Sequence, residues 1–125
     1  MIDIGTAKED LNISFGSCYG IYDFQSDIFE TIAAEKPDLF IWLGDVSYND
    51  SPDLKFHGMS EEYVSKRLAL TKSAKGYSKL SRVIGVWDDH DFGTNDGDRL
   101  FEHKKRNRVA FLDFIDEPAY SERRL

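Results

Sequence analysis

The chain of 125 residues has few of the features that would settle its class at once. A single cysteine, Cys18, rules out an internal disulfide and leaves the redox compartment open. There is no excess of basic residues: the formal net charge is -7, which argues against a general nucleic-acid binder. No apolar stretch approaches the length of a membrane span. The opening segment MIDIGTAKEDLN has no long apolar h-region and reads as no signal peptide. Internal repeats and low-complexity runs are missing as well.

What is present points to a folded domain. Hydrophobic residues make up 41% and aromatic residues 14%, enough for a core in a chain of ordinary single-domain length. The surplus of carboxylates suits a metal site. Leu11, Ile13 and Phe15 alternate and predict a strand ending in a Gly-Ser turn. A helix follows, with Ser26 as N-cap, Ile28, Phe29, Ile32 and Ala33 on one face, and Pro37 as its stop. The run LFIWL (39–43) fits a strand buried on both faces, as in a parallel sheet between helices.

Residues 49–58 read as a loop, and a second helix is expected from Ser60 to about Lys72, with a polar connection around Gly76. VIGVW (83–87) predicts the third strand, and a last helix is expected from near Asp98 to the break at Pro118. Strand and helix alternate throughout, the pattern of an α/β fold.

The stretch VIGVWDDHDFGTNDGD puts five aspartates within residues 88–98 with no lysine or arginine among them. Two carboxylates about 4 Å apart repel by roughly 4 kcal/mol at an effective dielectric near 20. A solvated turn or a cation site would each answer that cost. Placement favours the cation. The three predicted strands end at Cys18, at Gly44-Asp45 and at Trp87-Asp88, and ligands of open α/β sheets bind at the carboxyl ends of strands. Thiolate (Cys18), carboxylate (Asp45), phenolate (Tyr48) and imidazole (His90) at one sheet edge make a transition-metal donor set.

Gly16-Ser17-Cys18, Pro37-Asp38 through Gly44-Asp45-x-x-Tyr48, Trp87-Asp88-Asp89-His90-Asp91 and Gly93-x-Asn95-Asp96 together resemble the PhoD-like phosphatases (alkaline phosphatase D), a branch of the metallophosphoesterases. The resemblance covers about residues 11–118 and implies the N-terminal half of an α/β/β/α sandwich. It also implies hydrolysis of phosphate mono- or diesters by in-line attack of a metal-activated oxygen nucleophile, with iron(III) and calcium as the family's metals. By position, Cys18, Asp45 and Tyr48 correspond to metal ligands, Asp45 as the bridging carboxylate and Tyr48 as the phenolate on iron(III). Asp89 corresponds to a ligand of the second metal, His90 to the catalytic histidine, and Asn95 to a calcium ligand. Members of the family are often exported. Their pattern continues beyond the equivalent of Leu125 with further Asp and His ligands. The expectation is therefore a partial domain that pairs with its missing half and has negligible turnover alone.

Other readings compete residue by residue. A lone cysteine is most often a small buried hydrophobe. An EF-hand fails on spacing, because with Gly93 at the invariant glycine two ligand positions fall on His90 and Phe92. His57 and His103 are expected at the surface, Trp42 and Trp87 in the core, and Lys104, Lys105, Arg106 and Arg108 on a solvated helix face. The rival function is a non-catalytic calcium- or phosphate-binding module built on the same acidic edge.

Overall fold

A computed structural model describes residues 10–20, 27–48 and 61–125. It is an α/β arrangement of helices on a small parallel sheet. Strands β1 (Ile13–Gly16), β2 (Leu39–Leu43) and β3 (Val83–Val86) lie in the order β1-β2-β3, both pairs parallel. Parallel neighbours need a crossover, and helices α1 (Ile28–Ala34) and α2 (Glu61–Lys72) lie between the strands in sequence. A 3₁₀ turn at Tyr77–Lys79 precedes β3. A one-turn helix α3 (Asp89–Phe92), helix α4 (Lys104–Phe114) and a 3₁₀ turn at Glu122–Arg124 follow it.

The register sorts the side chains. Ile13 pairs with Leu39, Phe15 with Ile41, Ile41 with Ile84, and Leu43 with Val86, so these seven apolar residues share one face. Phe40 and Trp42 point to the other face, each 1% exposed. There they meet Phe29 of α1, Tyr77 of the 3₁₀ turn and Phe114 of α4, with ring centroids 5.1–6.4 Å apart in tilted or edge-on pairs. Val64 and Leu68 of α2 complete this core. Gly85 makes the packing possible, since a Cβ there would lie 2.5 Å from Trp42 Cβ. Inside the core, Trp42 Nε1 donates to Tyr77 Oη at 3.3 Å.

Five expectations are corrected. LFIWL is buried on one face only: Leu43 is 48% exposed, and Phe15 and Val86 beside it are exposed too. The last helix begins at Lys104, not near Asp98, and ends at Phe114. Residues 98–103 form turns, in which Leu100 is 78% exposed and so contributes little burial to hold a helix. The N-cap of α1 is Asp27, without a side-chain capping bond, while Ser26 lies outside the described residues. His103, expected on the surface, is half-buried at the N-cap of α4, 3.2 Å from Glu102 and edge-on to Phe101. Trp87 is only half-buried, and His57 and the loop at 49–58 lie outside the described residues.

The segment after α4 is tied back by arginines. Arg123 donates to Gly85 O of β3 at 2.6 Å and to Glu117 at 2.9 Å, and its guanidinium carbon lies 5.7 Å from the Trp87 ring centre. Arg124 bonds the Glu117 carbonyl and Asp113, and Arg108 bonds the Leu125 carbonyl. Among the described residues no helix is long and apolar enough to cross a membrane.

Candidate metal centre

Because all three strands run the same way, their carboxyl ends meet at one edge. Cys18 N–H donates to Gly44 O at 3.4 Å and Tyr19 N–H to Asp45 O at 2.9 Å, joining the exit of β1 to that of β2. The exits of β2 and β3 touch at Gly44, where a Cβ would come within 2.7 Å of Asp88 Cβ and φ is +98°. Cys18 and Asp45 both take left-handed backbone conformations, with φ of 55° and 54°. For residues other than glycine this costs of order 1–3 kcal/mol, and such strain gathers at functional sites.

Asp45, Asp89 and His90 each place one ligand atom so that all three lie within 4.8 Å of one another. All three side chains are half-buried. Asp45 Oδ2 accepts from the Cys18 thiol at 3.6 Å, whereas Asp45 Oδ1 is buried with no hydrogen-bond partner among the described residues. A buried carboxylate oxygen left without a donor is costly unless something else neutralises it. Two carboxylates and an imidazole form an O,O,N donor set whose chemistry fits a cation.

The two carboxylates are tuned apart. Burial raises the Asp45 carboxyl above its ordinary range. The charges of Asp89 and Asp88 add to that, while His90 and the Cys18 contact oppose it. Desolvation also lifts Asp89, but the N–H groups of Asp96 and His90, with the charge of His90, outweigh it and hold this carboxyl below the usual value.

Around this trio stand the other expected residues. Cys18 is exposed, not the buried hydrophobe its type suggests, and touches the trio through Asp45. The Tyr48 ring lies 4.4 Å from the His90 ring, centre to centre. Asn95 is set further out. Its amide donates to Asp96 Oδ2, and only Asp96, through its N–H, reaches Asp89. The structure thus gathers Cys18, Asp45, Tyr48, Asp89 and His90 at one edge and leaves Asn95 on the exposed turn beyond them.

Two residues of the Trp87–Asp91 motif were given no role from sequence. Asp88 is the N-cap of α3, accepting from Asp89 N–H, and pairs with Asp91 in a reciprocal capping box. Asp91 is 3% exposed and is held by four donors: Val46 N–H (3.0 Å), Ser47 N–H (2.8 Å) and Ser47 Oγ (3.2 Å) on Oδ1, and Asp88 N–H (3.1 Å) on Oδ2. Burial pushes its carboxyl up to about 6 against the pull of those donors. The signal was in the sequence: Asp-x-x-Asp before an apolar residue is a variant of the capping box. Arg67 of α2 adds a bond from Nη2 to Tyr48 O at 3.1 Å.

Compared with known proteins, the chain matches no family model, no curated protein and no solved structure.

Proposed function

We propose that this chain is the N-terminal half of a PhoD-like metallophosphoesterase, a hydrolase of phosphate mono- or diesters whose α/β/β/α sandwich is completed by a second sheet layer. The observation that carries this reading is the Asp45–Asp89–His90 trio at the carboxyl edge of a parallel sheet, with a buried Asp45 oxygen that has no donor among the described residues. The bare apolar face of the sheet supports the sandwich, since it has the composition of a surface made for a second layer.

In this reading Asp45, Asp89 and His90 hold a cation, with Tyr48 and Cys18 beside them as phenolate and thiolate donors. Iron(III) with calcium is the pair the resemblance implies. When bound, such ions neutralise phosphate charge and polarise its oxygens. The chain's own residues do the rest. Asp45 presents a carboxylate oxygen that no donor among the described residues satisfies. His90, with Tyr48 packed against its ring, holds a proton for the leaving oxygen of the ester.

The test is loading with iron and assay with a chromogenic phosphodiester, on this chain alone and together with a polypeptide supplying the second layer. Iron-loaded protein should show a visible charge-transfer band that Tyr48→Phe shifts or bleaches. Turnover should appear only in the completed protein and disappear in Asp45→Asn. Stoichiometric iron without colour would exclude the Tyr48 ligand. Binding without turnover in the completed protein would replace the enzyme by a binding module.

A further inference from the structure

Asp91 is an acid that the proposed chemistry does not use, and it is buried more deeply than Asp45, Asp89 or His90. Its hydrogen bonds are distributed in an informative way. Oδ1 takes the consecutive N–H groups of Val46 and Ser47, which follow Asp45 directly and precede Tyr48 directly. Oδ2 takes the N–H of Asp88, which directly precedes Asp89 and His90. The last paired residues of β2 and β3 are Leu43 and Val86, so the ladder ends before any candidate ligand is reached. Beyond that point the Asp91 carboxylate bonds backbone N–H groups of both strand exits.

We propose that Asp91 is the positioning residue of the site: its carboxylate fixes the segment carrying Asp45 and Tyr48 against the turn carrying Asp89 and His90. The inference rests on the metal-centre reading for its functional meaning, though not for its geometry. Bonds to an ionised acceptor are shorter and stronger than neutral ones, and two adjacent amides aimed at one oxygen leave the loop little freedom to turn. Partners that orient metal ligands typically change affinity by 10–100-fold when removed. Asparagine in place of Asp91 would keep an acceptor for Val46 and Ser47 but turn an NH₂ group toward Asp88 N–H. The two exits would then lose their common anchor. Arg67 also bonds this segment, through Tyr48 O, so Asp91 and Arg67 together hold residues 45–48.

Two measurements on the 125-residue chain test the proposal. The first uses no metal. The His90 ring protons, stacked 4.4 Å from Tyr48, should carry a ring-current shift in the NMR spectrum that Asp91→Asn removes. The second is titration with Mn(II) alone, where Asp91→Asn should weaken binding at least tenfold. A core variant of similar stability loss, Ile115→Val, should change neither. An unchanged His90 shift in folded Asp91→Asn, or equal losses in Ile115→Val, would overturn the proposal. If Asp91→Asn does not fold, Ser47→Ala decides, because it removes one donor from Oδ1: a partial loss of the His90 shift supports positioning and no change overturns it. Absence of Mn(II) binding in the parent would sink the metal reading, while the His90 shift would still decide the role of Asp91.

Discussion

The two faces of the sheet are built from the same kinds of residue and live in opposite environments. On one face Phe40 and Trp42 are closed off by α1, α4 and the 3₁₀ turn. On the other, Ile13, Phe15, Leu43 and Val86 are 42–68% exposed. Hydrophobicity in the sequence reports that a side chain is suited to burial; it does not report what buries it. The covered face holds the fold together, while the exposed face contributes less, since apolar area stabilises only where it is removed from water, at about 25 cal/mol per Å².

The sharpest way to break this contrast is to truncate on each side. Trp42→Ala should cost about 3–5 kcal/mol in urea unfolding, because it opens a cavity between Phe29, Phe40 and Phe114. If Leu43→Ala, one residue away on the other face, costs as much, the two faces are not energetically distinct. The next effect in size is a pH dependence confined to the covered side. Burial pushes the Tyr77 phenol up to about 12 from an ordinary value of 10.0. Between those values the folded chain keeps a proton that the unfolded chain has released. Stability is therefore full below pH 10 and declines as pH rises toward 12, by roughly 3 kcal/mol in all. Tyr77→Phe should flatten this part of the pH–stability curve, and a slope that survives the substitution would assign it elsewhere.

A smaller loss, about 1–3 kcal/mol, is expected for Gly85→Ala, which drives a methyl group into Trp42 Cβ. Unfolding at parental urea would show that β3 can shift away from Trp42. Smallest of all is Phe15→Thr on the bare face, expected to change stability by less than about 1 kcal/mol while reducing self-association in sedimentation velocity. A large stability loss there would mean that Phe15 is packed within the single chain.

Much of the architecture was legible because it is written in local pattern. Alternation gave β1, continuous β-branched and aromatic runs gave β2 and β3, and strand order then placed Cys18, Asp45 and His90 at a common edge. The parts that were not legible depend on what lies across space. LFIWL reads the same whether one face or two are covered. Residues 98–103 carry helix-compatible letters, but Leu100 stays largely exposed, and propensity without packing does not hold a helix. Five aspartates in one stretch suggested a single shared purpose. In the fold Asp88 caps a helix turn, Asp91 is buried among amides, Asp98 accepts from Leu100 N–H, and only Asp89 joins the trio. Composition cannot separate those roles, because each is set by which backbone N–H happens to face the carboxylate.

Arg123 gives the sheet a direction of growth. β3 ends the strand order, and its Gly85 carbonyl is already taken by a guanidinium that also grips Glu117 and covers Trp87. An incoming strand on that side would have to dislodge three contacts to gain one ladder bond, so the arginine works as a stopper against runaway lengthening. For any strand that approaches β3, the carbonyl of Gly85 is an acceptor already spoken for.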